Sequence, residues 1–168
     1  TTGGTGATGA AGASGPRPCA AKSTAPGVTD SQITVGSISS LSGPVPGLGA
    51  SGEAAVRAYV AYRNANGGVC GRQIVLRALD DGTDNGRYRG LVNELAPKVL
   101  GLVGGFAAGD PGGAEVIEQL KLPMVATVQS DNLQNVSTVF DTNPPFADLN
   151  AVTGKYKFLY DQGVRTAA

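Results

Sequence analysis

Gly47, Gly49 and Gly52 fall in a G-x-G-x-x-G spacing ahead of a helix-like run, and Asp80 closes the next apolar segment. In a dinucleotide-binding protein such glycines let backbone approach a pyrophosphate, and the acid takes the ribose hydroxyls. That chemistry would make the chain a Rossmann-type oxidoreductase domain. Two spacings oppose it. The fingerprint should follow its strand directly, whereas Pro44 and Pro46 lie in a loop between Ile38 and Gly47. Gly52 to Asp80 also exceeds the roughly 20 residues expected. The same glycines serve a helix that must approach its neighbours or a ligand closely.

Other reactive chemistry is thin. There is no His, so Ser-His-Asp and Cys-His catalysis, zinc-protease helices and His-ligated metals are excluded. No spacing sets a nucleophile beside a base or clusters cysteines for a metal, and the chain reads as a binder without cofactor rather than an enzyme. Formal net charge is zero with basic residues scattered, which is no footprint for nucleic acid. No apolar run approaches the ~20 residues of a membrane span. One segment suits an anion: Phe106-Ala107-Ala108-Gly109-Asp110, where peptide N–H groups at a helix start face outward. Asp110 would compete for those groups, and Asp110-Pro111 also reads as a plain N-cap with Pro at the first helical position.

The elements that position these residues alternate. Apolar patterning predicts strands over Ile33–Ile38, Gln73–Leu79, Leu100–Gly104, Pro123–Thr127 and Ser137–Phe140. Helices are predicted over Ala50–Asn64, with Gly52, Val56, Tyr59, Val60 and Arg63 on one face, over Arg87–Lys98, with Leu91, Leu95 and Val99, and from Asp110 to Leu120. Gly67-Gly68 ends the first helix. This order predicts an α/β fold, a doubly wound parallel sheet with right-handed crossovers and helices on both faces. Asp80 and Asp81, after the second strand, are expected to accept backbone N–H bonds in their turn. A further helix, Phe146–Tyr160, leads to Val164–Ala168, which reads as a strand cut off at its start. Residues 1–27 are Gly-, Ala- and Thr-rich and predict a disordered tether.

Leu41-Ser42-Gly43-Pro44 after the first strand, Asn66-Gly67-Gly68 after the helix and Asp80-Asp81 after the second strand together resemble the type I periplasmic solute-binding proteins of ABC importers. Within these the chain is most similar to the branched-chain amino acid (Leu/Ile/Val) binding family. The resemblance covers Gly27 to Ala168, about half of a family member. It implies an N-terminal lobe over 28–142, with 143–168 as the crossover and truncated start of a second lobe. It also implies an extracytoplasmic receptor that closes about a hinge on a small polar solute, an amino acid or related compound, and delivers it to an ABC permease. A sensory ligand-binding domain on the same fold shares that physics. The tether then resembles the spacer of a surface lipoprotein, whose lipid anchor would lie outside this chain; an engineering scar or an ordinary disordered terminus are the alternatives.

In open parallel sheets ligands sit beyond the carboxyl ends of the strands. The resemblance places Ser42, Gly43 and Leu48 there in the first loop, Ala108 and Gly109 in the third, and Gln129 and Ser130 after the fourth strand, Ser130 at the position where the family commonly carries a solute-binding Thr or Ser. Ser42 reads equally as a turn residue. Two positions depart from the amino acid binders: Ala108 stands where they usually have Ser, and Leu48 where they often have an aromatic. In an exported protein Cys19 and Cys70, the two cysteines of the chain, would pair.

Overall fold

A computed structural model of the chain describes residues 24–142, 154 and 157–165. Five strands form one sheet: β1 (Gln32–Ser39), β2 (Gln73–Asp80), β3 (Leu102–Phe106), β4 (Met124–Thr127) and β5 (Val139–Asp141), in the order β2-β1-β3-β4-β5. Every neighbouring pair is parallel. The helices are α1 (Ala50–Ala65), α2 (Asn85–Leu95), α3 (Ala114–Leu120) and α4 (Asp131–Gln134). The predicted doubly wound sheet is observed.

Sequence dictates most boundaries. α1 stops where Gly67 and Gly68 take positive φ, and Asn64 binds both the N–H and C=O of Ile74, tying the helix end to β2. α2 starts two residues earlier than predicted because Asp84 caps it, accepting the Arg87 N–H at 2.6 Å. It tightens into a 3₁₀ turn, Ala96–Lys98, at Pro97. The helix predicted from Asp110 opens as a 3₁₀ turn, Asp110–Gly113, before α3.

Alternation along the strands sends side chains to two unequal faces. Ile38, Leu102, Met124 and Ala126 meet Tyr88, Val92 and Leu95 of α2, Ile117 of α3 and Leu133 of α4 in the core. On the other face α1 covers β1 to β3, with Val56 and Val60 beside Val35 and Val103. Tyr59, predicted for the packed side of α1, is 62% exposed at the rim. Beyond α1 this face is bare among the described residues: Val125 of β4 and its register partner Phe140 of β5 are 47% and 61% exposed.

Three expectations are corrected. β3 lies two residues later than predicted, over Leu102–Phe106, because Gly105 and Phe106 belong to the strand; a Cβ on Gly105 would stand 2.4 Å from the Ile38 carbonyl oxygen. Residues 24–27, assigned to the tether by composition, are built into the lobe. Gly27 accepts the Thr34 N–H at 2.7 Å, and a Cβ on it would meet the Lys98–Leu100 backbone within 2.8 Å. Val164 and Arg165 follow a turn and are not in a strand. Residues 157–161 are helical as predicted, with Phe158 and Tyr160 exposed. Tether residues 1–23 and the start of the last predicted helix lie outside the described residues.

Candidate functional site

The four loops beyond the carboxyl ends of β1 to β4 meet, held together by carboxylates. β1 ends in consecutive buried serines, Ser39 and Ser40. Ser40 Oγ donates to Asp81 Oδ1 at 2.7 Å and accepts the Ala108 N–H at 2.9 Å. Asp81, fully buried after β2, also accepts the N–H of Thr83 at 3.0 Å and, through Oδ2, that of Gly109 at 2.9 Å. The next link is Asp110, whose Oδ2 accepts the Gln129 N–H at 2.6 Å. Ser40, Asp81 and Asp110 thus staple β1, β2, β3 and β4 across their upper edge.

Asp80 does the same at the surface. It accepts the N–H groups of Leu41, Ser42 and Gly82 and the Ser42 hydroxyl. That hydroxyl is the strongest of the contacts that hold its carboxyl well below the usual range, the backbone N–H bonds adding to it against the cost of desolvation. Both aspartates therefore play the turn role read for them. Asp110 is shifted the other way: burial pushes its carboxyl up, and the Asp81 and Asp141 charges add to this, while the Gln129 N–H and the Ser130 hydroxyl oppose it. The Ser130 hydroxyl is thus close enough to act on the carboxylate, yet neither Ser130 Oγ nor Asp110 Oδ1 completes a hydrogen bond. Tyr88, buried under the same loops, is raised by desolvation and by the Asp110 and Asp81 charges.

The site residues read from sequence all lie at this edge. Ser42, Gly43 and Leu48 are exposed on the β1–α1 loop. Gly43 is at φ +103, where a Cβ would stand 2.4 Å from the Gly82 carbonyl oxygen, so glycine is what lets this loop rest on the next. Ala108 is exposed, Gly109 buried, and Gln129 and Ser130 half-buried. One expectation changes: the N–H groups of Ala108 and Gly109, read as free for an anion, are already donated to Ser40 and Asp81. Sequence reading passed over Ser40, whose signal is a second consecutive Ser at the end of an apolar strand.

The glycine run does not form a phosphate cradle. Ten residues separate β1 from α1. Gly49 sits where a Cβ would stand 2.7 Å from the Phe106 carbonyl oxygen, which makes it a packing glycine. The first turn of α1 carries buried Glu53, bound to Ser37 Oγ at 3.3 Å and Arg57 at 2.8 Å, so a negative charge stands where a pyrophosphate would need none. The Asp80 carboxylate, the ribose ligand of that reading, is committed to its own loops.

Cys70, at φ +54 in the turn before β2, is disulfide-bonded. Cys19 lies outside the described residues. Among the described residues no cluster of His, Cys, Asp and Glu is arranged to hold a metal, and no helix is long and apolar enough to cross a membrane.

A parallel sheet of order β2-β1-β3-β4-β5 with converging loops beyond its carboxyl edge has the α/β architecture of a type I periplasmic-binding-protein lobe. The sequence profile of the Periplasmic binding protein family matches residues 32–168, and the chain belongs to that family. The family is made up of solute-binding proteins. Among solved structures the chain is similar to the fatty acid ABC transporter substrate-binding protein from Thermomonospora curvata, with 26% identity and a TM-score of 0.73 over 86% of this chain and 37% of that one. A possible leucine/isoleucine/valine-binding protein from Rhodopirellula baltica shares the fold at 22% identity and a TM-score of 0.69, over 80% of this chain and 37% of that one. So does a branched-chain amino acid transporter substrate-binding protein from Streptococcus pneumoniae, solved with isoleucine, at 20% identity and a TM-score of 0.60, over 68% of this chain and 34% of that one. No curated protein matches the sequence. The chain spans less than two fifths of the length of these three structures.

Proposed function

We propose that the chain is the first lobe of an extracytoplasmic receptor that binds a small polar solute, an amino acid or related compound, and hands it to an ABC permease. It is a binder and not an enzyme. The observation that carries this reading is the convergence of loops 40–49, 80–84, 106–110 and 128–130 beyond the carboxyl edge of a parallel sheet, where such folds take their ligands. Membership of the family supports it, as does the similarity to receptors solved or named as amino acid and fatty acid binders. A disulfide at Cys70 supports an oxidising compartment. Ser42, Gly43, Leu48, Ala108, Gly109, Gln129 and Ser130 form the proposed half-site, and the relatives' greater length supports a second lobe that closes over it.

The test is a ¹⁵N–¹H correlation spectrum of this chain titrated with amino acids, small amides and aromatic acids at millimolar concentration. A half-site open to water binds weakly, because a closed cleft buries over ~70% of a ligand and one lobe does not. Shifts confined to residues 41–48, 106–110 and 128–131 are expected from at least one class. Absence of any shift at this edge, or shifts centred on the α1 face, would overturn the reading.

A further inference from the structure

Three polar atoms of residues at the β3 and β4 ends are closed to solvent without a completed hydrogen bond, Asp110 Oδ1, Gln129 Nε2 and Ser130 Oγ, although the Ser130 hydroxyl lies near enough to act on the Asp110 carboxylate. Asp110 is 1% exposed, and its second oxygen already holds the Gln129 N–H. Leaving such groups unpaired is costly, so an unfilled set at the ligand-binding edge calls for a partner. What they ask for is specific. Asp110 Oδ1 needs a donor, Gln129 Nε2 an acceptor, and Ser130 Oγ takes either.

Resting on the receptor reading above, we propose that Asp110, Gln129 and Ser130 receive an uncharged head group carrying both N–H and C=O, a carboxamide or urea-type group, and that this lobe discriminates against a free carboxylate. The head group's N–H fills Asp110 Oδ1 while its carbonyl takes the Gln129 amide, and Ser130 completes the set. Entry accompanies a turn of the half-buried Gln129 side chain. A carboxylate could satisfy Gln129 and Ser130, but it would face Asp110 with the Asp81 and Asp141 charges nearby. The peptide N–H groups suited to an anion, those of Ala108 and Gly109, are taken by Ser40 and Asp81. Nor, among the described residues, is a cation given over to this place. Arg89 is spent on Glu115 and the Gly112 carbonyl, and Arg87 lies beside Gly82 on the neighbouring loop.

The experiment compares one carbon skeleton with three heads, 3-methylbutanamide, 3-methylbutanoate and 3-methylbutylamine, titrated into ¹⁵N-labelled chain. The amide is expected to shift the Gln129 side-chain NH₂ and the Ser130 backbone resonance with an apparent affinity at least about tenfold above the carboxylate, a difference of ~1.4 kcal/mol. Asp110→Asn, which can offer a donor in place of the carboxylate, should narrow or reverse that ratio, and Ser130→Ala should weaken the amide. Equal or tighter binding of the carboxylate, with shifts at Ala108 and Gly109, overturns the inference and leaves the receptor reading standing. The same holds if the amine is preferred. It holds too if the amide leaves Gln129 unmoved, as it would were a buried water the only partner, while other solutes shift loop 41–48. Silence of the whole edge toward every solute overturns the receptor reading, and this inference with it.

Discussion

Asp81 Oδ2 accepts the Gly109 peptide N–H at 2.9 Å across a gap of 28 residues in sequence. This one contact converts the most plausible anion site of the chain into a structural joint. The carboxylate just after β2 occupies the position a ligand's carboxylate would take after β3. Ser40 completes the joint by binding both Asp81 and Ala108.

Removing that joint should be expensive. Asp81→Ala leaves the N–H groups of Thr83 and Gly109 and the Ser40 hydroxyl without their acceptor in a buried place. We expect a loss of about 3 kcal/mol by urea denaturation. A loss below about 1 kcal/mol would mean that the loops hold each other without it.

Asp80 and Asp110 should pull in opposite directions with pH. Asp80 titrates below its ordinary value of 3.8 in the folded chain, so its stabilisation is present above that value and is lost as pH falls toward the folded one. Asp110 titrates above 3.8 when folded, so its contribution is full below 3.8 and declines as pH rises through the folded value. Asp80→Asn is expected to destabilise most near neutrality and progressively less in acid. For Asp110→Asn the change relative to the parent should become less unfavourable from about pH 4 to about pH 7. Parallel pH profiles for the two variants would contradict both assignments.

Gly43→Ala combines a positive φ with a Cβ placed 2.4 Å from the Gly82 carbonyl oxygen. It should cost about 1–3 kcal/mol and move the resonances of both loops. Gly67→Ala is the comparison, since a Cβ there meets nothing within 4 Å although φ is +88. If the two variants unfold at the same denaturant concentration, the loop contact contributes nothing.

Cys70 should carry its bridge to Cys19. The loop of about 50 residues is worth on the order of 4 kcal/mol in the chain-entropy picture. Reduction, or Cys19→Ser, is expected to lower the denaturation midpoint, and thiol titration of the unreduced, denatured protein should find none. Two reactive thiols in protein made in an oxidising compartment would defeat the pairing.

The framework was legible where local chemistry agrees with the fold. Apolar strands, the Gly67-Gly68 stop and the Asp80–Gly82 and Asp81–Thr83 bonds of the second turn all act within a few residues of themselves. β3 was misplaced because the apolar Leu100 set its start too early and Gly105 read as its end, while the purpose of Gly104 and Gly105 lies far away, against Val56 and the Ile38 carbonyl. Helix α4, four residues long, has too few positions to show a period. At the site, Ser42, Gln129 and Ser130 could be placed at the correct edge, but the engagement of Ala108 by Ser40 joins positions 68 apart and leaves no local trace.

The bare face over β4 and β5 bears on how this lobe behaves at concentration. Val125, Phe140 and Tyr59 line a wall that water wets poorly, beside β5, the short strand at the sheet's edge among the described residues. A formal net charge of zero gives two such molecules little reason to stay apart. Kosmotropic salt should therefore drive lobes together through this wall, and a charge set at Phe140 should keep them dispersed without touching the ligand edge.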